Sequence, residues 1–479
     1  MERDNLIFTE SGIRGIAEKE LNFNTAKKIA IAYGLWLNPE DKRIIIGRDT
    51  RPSGTVIEKG IVEGLVTMGF EIIYLGVCPT PVVIYTKNKC NIPGTIIITG
   101  SHNPQEWNGL KLLSTITFLN KDEMSIISRT VNQIDLNSYS SNKNSLKNQV
   151  KPYNPLPSYI KDLANYVDLE QVKKKNDLKV IIDTGAGAGK YAAPQILREL
   201  GCNLKLINNE MLVKGIFPRE IEPIESNLTD LIMEVWQHKF DIGFAYDSDA
   251  DRIAIIGENA VCYPEDIGIA LITENYLKDC LGSDKEMIFV TNLASSLRFE
   301  VLAEKYNAHV MRTPVGERFL VERIHSLVEE DATRIRKRLI FGGEGSCGGF
   351  IFPYFNNTRD GIFAAAKLIE ILVQSGKSVS ELVSNLPKYY THREIINIDN
   401  LDLKQIILLV KRELEQEGEK VEQINLDLRW GEDKDWFILI HPSNTESVLR
   451  VISEAKRNSL ARLYCEATAE LVKLIISRI

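Results

Sequence analysis

The serine at position 101 lies in a short polar loop just past an apolar run, 94–98, which predicts a buried strand. Ligands of α/β sheets bind beyond the carboxyl ends of the strands, so a hydroxyl group held there can act as a nucleophile or carry a phosphoryl group. An ordinary turn is the alternative, because serine, asparagine and proline are common turn residues. Lys111 is a candidate acid–base group or phosphate ligand. His102 is also a catalytic candidate, although adjacent side chains in an extended loop often diverge.

Three aspartates at alternate positions follow a second apolar run. Asp247, Asp249 and Asp251 can converge on one hard cation, and without a cation their charges would repel one another. An EF-hand loop is excluded because Arg252 stands where that loop turns on a glycine, and because 253–256 predicts a strand. The pattern therefore favours Mg²⁺ that holds a phosphate, with a solvated acidic turn as the alternative.

A glycine-rich stretch, 342–349, follows a third apolar run and contains Glu344 and Ser346. A carboxylate and a hydroxyl group together suit the hydroxyl groups of a sugar, which both donate and accept hydrogen bonds. Taken alone, a structural glycine-rich turn explains this stretch equally well.

Two further stretches can bind an anion. The segment HPSNTE at 441–446 offers small hydroxyl side chains and backbone N–H groups that can form an anion-binding nest, and Arg450 follows on a predicted strand. In SGIRG at 11–15, glycines flank Arg14, so the backbone can approach a phosphate that the guanidinium binds. Each stretch is also compatible with a structural turn.

The composition limits the functions that these residues can serve. The 479 residues are 44% hydrophobic and 26% charged, and the net charge of −7 argues against binding nucleic acid by general electrostatics. No apolar run is long enough for a membrane span, and no apolar signal core follows the N-terminus, so we expect a cytoplasmic protein without a membrane partner. The seven cysteines form no CxxC pair, and the six histidines lack zinc-ligand spacing.

Three segments repeat the order of apolar strand, small-residue loop and helix, at 43–50, 179–187 and 287–295. Each predicts the start of an α/β unit, and their wide spacing favours three similar domains over a solenoid. The remainder predicts a smaller α+β domain, with a strand at 436–440 and a final amphipathic helix at 459–479.

The domain boundaries follow from linker composition. The stretch 137–157 is rich in serine, asparagine, lysine and proline, and it predicts a linker. Weaker boundary signals occur near 257–264 and 376–388. The predicted domains are therefore 1–150, 151–257, 258–385 and 386–479.

Taken together, these stretches resemble the α-D-phosphohexomutases, the family of phosphoglucomutase and phosphomannomutase. Six motifs occur in the order and wide spacing of that family: SGIRG (11–15), GRDTR (47–51), TGSHNP (99–104), DSDADR (247–252), GEGSCG (343–348) and HPSNTE (441–446). The resemblance implies a mixed α/β protein, in which three similar domains and a smaller C-terminal α+β domain surround a central cleft and each contributes a loop.

The resemblance also implies a reaction centre. Ser101 would carry the phosphoryl group as phosphoserine, and an oxygen of that group would complete a Mg²⁺ site with Asp247, Asp249 and Asp251. Lys111 would be the general acid–base group beside the transferring phosphoryl group. The remaining members of the predicted reaction centre are Arg14, His102, Asn103 and Arg252.

Substrate recognition is assigned to the two C-terminal domains by the same resemblance. Glu344 and Ser346 would recognise sugar hydroxyl groups from domain 258–385. The non-reacting phosphate would bind the last domain through Ser443, Asn444, Thr445, Arg450 and, at the start of the loop, His441. The first two domains would then be the phosphoserine domain and the metal-binding domain.

Two departures from the family pattern bear on the substrate. His441 stands where the family usually has arginine, and an imidazole is only partly charged near neutral pH. Phosphate binding is therefore expected to be weaker, to depend on pH, or to be carried by Arg450. Cys347 stands where glycine or a bulky residue is usual, and Gly348 and Gly349 replace a histidine common in bacterial relatives, which leaves the sugar open.

We therefore expect a phosphohexomutase that interconverts hexose 1-phosphate and hexose 6-phosphate, with glucose or mannose as the sugar. Phosphoserine and hexose 1,6-bisphosphate, which is also the activator, would carry the reaction, and the chain would act as a monomer or homodimer. The alternatives are a phosphoglucosamine mutase, whose bacterial form usually has a Gln-Ser-Gly-His sugar loop, and a hexose 1,6-bisphosphate synthase. A non-catalytic sugar-phosphate sensor is the alternative from a different class. A metal-dependent phosphatase would need an activated water, and no histidine or further carboxylate stands out for that role.

Overall fold

A computed structural model describes residues 6–139, 148–334, 337–345, 348–398, 401–443 and 447–479. The chain divides into two compact units. The first contains residues 1–272 and 347–383, and the second contains residues 273–346 and 384–479. The predicted domain 258–385 is thus divided between the two units. Among the described residues, no helix is both long and apolar enough to cross a membrane.

The N-terminal part of the first unit is a seven-stranded sheet with the order β1-β2-β6-β5-β3-β4-β7. Its strands are β1 (Ile7–Thr9), β2 (Gly12–Ile16), β3 (Arg43–Arg48), β4 (Glu71–Val77), β5 (Gly94–Ile98), β6 (Trp107–Leu113) and β7 (Val150–Pro152). Its helices are α1 (Phe23–Leu37), α2 (Gly54–Thr67), α3 (Thr80–Lys89) and α4 (Lys121–Gln133). Residues 44–46 and 96–98 are buried without exception, as is typical of parallel strands that are covered on both faces.

The strand order brings three predicted site residues to neighbouring strands. Ser101 lies just beyond the end of β5, and β6 runs antiparallel beside β5 with Lys111 opposite Ile97. On the other side of β6, β2 pairs with it so that Arg14 lies opposite Gly109. A Cβ atom at Gly109 would lie 2.5 Å from the Ile13 carbonyl oxygen and 2.4 Å from Arg14 Nη1, so a glycine is needed where the arginine side chain crosses β6.

The second sheet of the first unit has four strands in the order β11-β10-β8-β9. They are β8 (Lys179–Asp183), β9 (Asn203–Ile207), β10 (Ile242–Tyr246) and β11 (Ile253–Gly257). β10 and β11 are antiparallel and pair Tyr246 with Ile253, so the acidic loop 247–252 is their direct connection. The associated helices are α5 (Leu156–Leu163), α6 (Leu169–Lys175), α7 (Ala193–Glu199) and α8 (Thr229–His238).

The second unit contains an α/β part and a C-terminal part. In the α/β part, β13 (His309–Thr313), β12 (Glu286–Asn292) and β14 (Arg338–Glu344) are parallel neighbours in that order. Helix α9 (Glu265–Asp279) precedes them, and α10 (Arg298–Lys305) and α11 (Glu317–Ala332) connect them. The segment 347–383 of the first unit follows, with β15 (Gly349–Ile351) and α12 (Gly361–Ser375), and the short α13 (Val379–Ser384) ends it.

The C-terminal part is an antiparallel sheet with the order β16-β20-β19-β18-β17. Its elements are β16 (Tyr390–Asn397), α14 (Leu403–Gln416), β17 (Glu422–Ile424), β18 (Asp427–Glu432), β19 (Trp436–Pro442), β20 (Val448–Ala455) and α15 (Asn458–Ile476). The predicted fold class, three mixed α/β domains and a smaller α+β domain, is confirmed. One difference concerns the predicted linker 137–157, because β7 within it pairs with β4 and extends the first sheet.

A buried lysine on α3 gives the first unit a specific pH dependence. Lys87 is 2% exposed and donates a hydrogen bond to the Thr115 carbonyl, and burial lowers its pKa to about 8. The unfolded chain, with an ordinary lysine pKa of about 10.4, therefore binds more protons between pH 8 and that value, so stability rises with pH in this window.

We expect Lys87→Met to remove this rise in stability. The variant should be more stable than the parent at pH 7, by on the order of 2 kcal/mol, because it buries no charge and loses one hydrogen bond. Urea denaturation midpoints at pH 7 and pH 9.5 measure the effect. Lys89→Met, at an exposed position on the same helix, is the control. An equal gain for Lys87→Met at both pH values would show that the charge of Lys87 is not the cause.

Candidate active site

Ser101 has an uncommon backbone conformation that the surrounding hydrogen bonds maintain. Its φ angle of 48° lies in the left-handed region, and only 3% of the residue is exposed. The Ser101 N–H donates to Thr99 Oγ1 at 2.8 Å, and the Ser101 hydroxyl donates to Asp247 Oδ2 at 3.0 Å. Non-glycine residues adopt this conformation at a cost of about 1 kcal/mol or more, and such strain is concentrated at functional sites. The loop thus directs the serine oxygen toward the acidic loop 247–252.

The three aspartates of that loop converge as predicted from their spacing. Asp247, Asp249 and Asp251 are buried, and one carboxylate oxygen of each lies within 4.8 Å of the others. The Oδ1 atom of each carboxylate is buried and has no hydrogen-bond partner within the described parts of the chain. Three orphaned carboxylate oxygens match the hard oxygen ligands that Mg²⁺ prefers, so these residues fit a divalent cation.

Cationic side chains surround the same carboxylates. Lys111 Nζ lies 2.7 Å from Asp249 Oδ2 and 2.9 Å from Asp251 Oδ2. Arg359 Nη2 lies 2.7 Å from Asp251 Oδ2, and Arg252 Nε lies 4.0 Å from Asp247 Oδ2. The hydrogen bonds from Lys111 and Arg359 are all accepted by Oδ2 atoms, and in the described parts of the chain the one contact to an Oδ1 atom is the 3.9 Å approach of Arg252 Nε to Asp251. The Oδ1 atoms, which accept no hydrogen bond among the described residues, are therefore the ones suited to a metal ion.

The carboxylates differ in their electrostatic surroundings. Burial raises the pKa of Asp247 well above its usual value, and the charges of Asp249 and Asp251 raise it further. Burial acts in the same direction on Asp251, but Arg359 and Lys111 outweigh it and hold its pKa below the ordinary range. A divalent cation would favour the ionised form of Asp247, because its charge offsets both causes of the raised pKa.

Arg14 and His102 lie within the electrostatic reach of this group. Burial lowers the pKa of Arg14 to about 10, although Asp249 acts against that shift, so the guanidinium stays charged at neutral pH. The positive charge of Arg252, followed by burial and Arg14, lowers the pKa of His102 well below its usual value. His102 is therefore a neutral imidazole at physiological pH. Its Nδ1 atom is buried without a hydrogen-bond partner among the described residues.

The structure adds residues that sequence reasoning missed. The Thr80 hydroxyl donates to Asp249 Oδ2 at 2.6 Å, and the Thr80 N–H donates to the Asp249 carbonyl at 2.9 Å. Arg359 holds Asp251, as described above. Asp49 and Arg51 support the Ser101 loop, and their motif, GRDTR, was the only sequence signal among these residues. Thr80 and Arg359 lie far from the acidic loop in sequence and carried no signal.

Glu344, from the predicted sugar-recognition loop, lies in the second unit as the last residue of β14. Glu344 is buried, and its Oε1 atom accepts a hydrogen bond from Asn292 Nδ2 at 3.0 Å. Asn292 is in turn fixed by Ser295, whose hydroxyl donates to Asn292 Oδ1 at 2.9 Å, and Ser295 Oγ also accepts the Gly345 N–H at 3.0 Å. The carboxylate orientation is therefore set by neighbouring strands. Ser346 lies outside the described residues.

Three of the predicted phosphate-binding residues, His441, Ser443 and Arg450, lie in or next to strands β19 and β20. His441 and Arg450 are directly opposite each other in the register of these two strands. His441 Nδ1 lies 2.6 Å from Asp427 Oδ1, and both residues are buried. Asp427 therefore orients the imidazole, a contact that sequence reasoning did not anticipate. The Ser443 N–H donates to the Val448 carbonyl at 2.9 Å, and Asn444 and Thr445 lie outside the described residues.

The structure thus brings together, within the first unit, the serine loop, the acidic loop, Lys111, Arg14, His102 and Arg252. Asn103 is part of the serine loop, where its N–H donates to the Gly100 carbonyl at 3.0 Å. Transfer of a phosphoryl group depends on positioning and on neutralisation of charge. This buried site offers a nucleophilic hydroxyl group, a potential metal site and several cationic side chains, so it is suited to that reaction.

Comparisons with known proteins bear on this geometry. Three family models match the chain: phosphoglucomutase/phosphomannomutase alpha/beta/alpha domain I at 5–138, domain II at 157–260 and domain III at 264–390. A phosphoglucomutase/phosphomannomutase of Thermococcus kodakarensis is 35% identical over 477 residues, which cover 98% of each chain. A "probable phosphoglucosamine mutase" of Pyrococcus abyssi is 32% identical, also over 98% of each chain.

A solved structure shows the same fold at lower sequence identity. The crystal structure of a phosphoglucomutase/phosphomannomutase family protein from Burkholderia thailandensis matches with a TM-score of 0.80 at 21% identity. The match covers 98% of the present chain and 97% of the other.

Proposed function

The chain belongs to the phosphoglucomutase/phosphomannomutase family of phosphomutases, and from this premise we propose that it interconverts hexose 1-phosphate and hexose 6-phosphate, with glucose or mannose as the sugar. The observation that carries the proposal is the 3.0 Å contact between Ser101 Oγ and Asp247 within the buried group of carboxylates and cations. This contact supports the proposal, because it joins the hydroxyl group of Ser101 to one of the three converging carboxylates.

In the proposed reaction, phosphorylated Ser101 gives its phosphoryl group to a hydroxyl group of a hexose monophosphate, and hexose 1,6-bisphosphate forms. The bond between phosphorus and Ser101 Oγ breaks as the bond to the sugar oxygen forms. Lys111 Nζ is the proposed proton donor to the departing serine oxygen, and the proton that the attacking sugar hydroxyl loses restores the ammonium group. In the return transfer the serine hydroxyl loses its proton and the departing sugar oxygen gains one, again through Lys111. The bisphosphate then turns around, and its other phosphoryl group returns to Ser101, which leaves the isomeric monophosphate.

The residues around the serine are proposed to neutralise the charge of the transferring group. Mg²⁺ held by Asp247, Asp249, Asp251 and an oxygen of phosphorylated Ser101 would supply electrostatic stabilisation when bound. Arg14 and Arg252 are proposed to bind phosphate oxygens, and Asn103 and His102, a neutral imidazole, are proposed to complete the reaction centre. Residues 1–150 and 151–257 would then act as the phosphoserine and metal-binding domains.

Substrate orientation is proposed to depend on residues 258–385 for the sugar and 386–479 for the phosphate. Glu344 and Ser346 would bind sugar hydroxyl groups in either orientation of the bisphosphate, because both orientations present donors and acceptors to the loop. The non-reacting phosphate would bind His441, Ser443, Asn444, Thr445 and Arg450.

A second candidate function is that of a phosphoglucosamine mutase. It is favoured by the relative of that name from Pyrococcus abyssi, which matches this chain over nearly its whole length. The reaction centre would be the same for both functions, so the difference would lie in the loop that carries Glu344, where an amino group could replace a sugar hydroxyl as the partner of the carboxylate.

Phosphorus NMR of the purified protein with Mg²⁺ and a trace of the matching hexose 1,6-bisphosphate tests these functions. Glucose 1-phosphate, mannose 1-phosphate and glucosamine 1-phosphate are supplied in separate samples. Formation of glucose or mannose 6-phosphate at the highest rate supports the proposal, and conversion of glucosamine 1-phosphate alone supports the second candidate. Accumulating bisphosphate would indicate a synthase, released inorganic phosphate a phosphatase, and unchanged spectra in all samples a sensor.

His441→Arg is expected to lower the KM for the hexose phosphate about 3- to 10-fold, because one additional charge-assisted hydrogen bond contributes about 1 kcal/mol. A guanidinium is permanently charged and binds phosphate through two donors, and Asp427 would remain beside it as a counter-charge. Steady-state kinetics at neutral pH measure the change. His392→Arg, on β16 of the same sheet, should leave KM unchanged. An unchanged or higher KM for His441→Arg would show that His441 does not limit phosphate binding.

A further inference from the structure

One buried arginine holds the loop that carries Ser101. Arg51 follows β3 and is 0% exposed, and its backbone N–H donates to Asp49 Oδ1 at 2.9 Å. Its guanidinium makes five hydrogen bonds: Nε to Asp49 Oδ2 at 3.2 Å, Nη1 to the carbonyls of Pro104 at 2.8 Å and Trp107 at 2.9 Å, and Nη2 to the carbonyls of Ser101 at 2.8 Å and Asn103 at 2.6 Å. Four of these acceptors are backbone carbonyls of residues 101–107, which form the serine loop between β5 and β6 together with the first residue of β6.

The chemistry of this position is specific for arginine. A guanidinium has five N–H donors in a fixed plane, and the number of its acceptors here equals the number of its donors. A lysine has three donors on a single nitrogen and cannot bind four carbonyls that here contact two different nitrogens of the guanidinium. The fit is also tight, because a Cβ atom at Gly100 would lie 2.6 Å from both Cζ and Nε of Arg51.

The partner of Arg51 connects the serine loop to the acidic loop. Asp49 is fully buried, and its Oδ2 atom accepts hydrogen bonds from the Thr99 hydroxyl at 2.7 Å and the Ser248 hydroxyl at 2.9 Å. Thr99 Oγ1 accepts the N–H of Ser101, and Ser248 lies between two of the aspartates. The Asp49–Arg51 pair therefore contacts both loops whose relative position sets the distance from Ser101 Oγ to Asp247.

We propose that Arg51 is a positioning residue for phosphoryl transfer, which holds Ser101 in its left-handed conformation by binding the carbonyls of residues 101, 103, 104 and 107. The proposal rests on the proposed function, since it assigns Arg51 a role in that reaction. A displacement of a reacting atom by about 1 Å can lower a rate about 10²-fold. Arg51 acts through the loop, so its loss should affect turnover and leave the metal ligands and the substrate contacts in place.

Arg51→Lys tests the proposal, with Arg48→Lys as the matched control. Arg48 belongs to the same motif and bonds Glu58 and the Asp49 carbonyl without contacting the serine loop. We expect Arg51→Lys to lower kcat about 10²-fold or more, with KM changed less than about 3-fold. Calorimetric titration of the unphosphorylated protein should show unchanged Mg²⁺ affinity, because Arg51 makes no hydrogen bond to the three aspartates. Amide hydrogen exchange of the peptide 99–107 should be faster than in the parent. Arg48→Lys should resemble the parent in each measurement.

Gly100→Ala perturbs the same contact from the other side and keeps every hydrogen-bonding group. Gly100→Ala should lower kcat. The double variant Gly100→Ala/Arg51→Lys should have nearly the same kcat as Arg51→Lys alone, because both substitutions disturb the same contact. If Arg51→Lys fails to fold, Gly100→Ala provides the test. Full kcat together with unchanged amide hydrogen exchange of the peptide 99–107 in this variant would overturn the proposal.

Other outcomes of this test also overturn the positioning role. They are an Arg51→Lys variant as active as Arg48→Lys, a loss of kcat without faster exchange in 99–107, and additive losses in the double variant. A parent protein without mutase activity would instead overturn the proposed function, and the exchange measurement would still show whether Arg51 holds the loop.

Discussion

Replacing Ser101 with alanine is expected to lower turnover at least about 10⁴-fold, because removal of a covalent nucleophile typically costs this much or more. The hydroxyl that contacts Asp247 is the only atom lost, and the backbone bonds of Ser101 to Thr99 and Arg51 do not involve it. The variant should therefore fold normally. Steady-state turnover and the thermal denaturation midpoint of both proteins are the measurements.

A direct assay for the phosphoryl carrier accompanies this variant. Incubation with a hexose 1,6-bisphosphate should place phosphate on the peptide that contains Ser101, as detected by mass spectrometry, and the alanine variant should acquire none. Ser125→Ala, on the exposed face of α4, is the control and should behave like the parent. Full turnover in Ser101→Ala, or phosphate on another residue in a turning-over enzyme, would rule out the phosphoserine mechanism.

Asp249→Asn is the second change with a large expected effect. Metal-ion stabilisation of a transition state amounts to several kcal/mol, so the loss of a ligand charge should lower turnover by about 10²- to 10⁴-fold. Asp249 Oδ2 also accepts hydrogen bonds from the Thr80 hydroxyl and from Lys111 Nζ. A neutral amide has no negative charge with which to strengthen these two hydrogen bonds. Its orphaned Oδ1 atom is the one suited to the metal ion.

Two measurements separate metal binding from folding in this variant. Calorimetric titration with Mg²⁺ should show an affinity at least about 10-fold weaker than in the parent, and the denaturation midpoint should change little, since the side chains have nearly the same volume. Asp230→Asn, exposed on α8, is the control. Parental Mg²⁺ affinity together with parental turnover would remove Asp249 from the metal site.

The acidic loop is the part of the candidate site that local sequence predicted best. Asp247, Asp249 and Asp251 lie within one turn between two apolar runs, so their convergence depended only on local spacing and on the hairpin of β10 and β11. Because three neighbouring carboxylates repel one another without a cation, their spacing also predicted a metal site. Arg359, a counter-charge that no motif indicated, was missed because it is 108 residues from Asp251 in sequence.

The family and the fold class were also within reach of the sequence. Isoleucine runs such as 44–46 and 96–98 predict buried strands because a strand covered on both faces needs apolar side chains at every position. Ordered motifs then predicted the phosphohexomutase family, which the comparisons confirm. The hexose, the phosphorylation of Ser101 and the roles of individual residues stay predictions.

What the sequence determined by itself was therefore local: where buried strands end, which polar groups follow them, and which family combines those groups. Tertiary structure alone decided the long-range partners. Ser101 and Asp247 are separated by 146 residues, and the pairing of His441 with Asp427 depends on the packing of two neighbouring strands. Arg51 shows the reason most clearly, because its five donors find acceptors only where the fold brings four carbonyls and a carboxylate around one buried guanidinium.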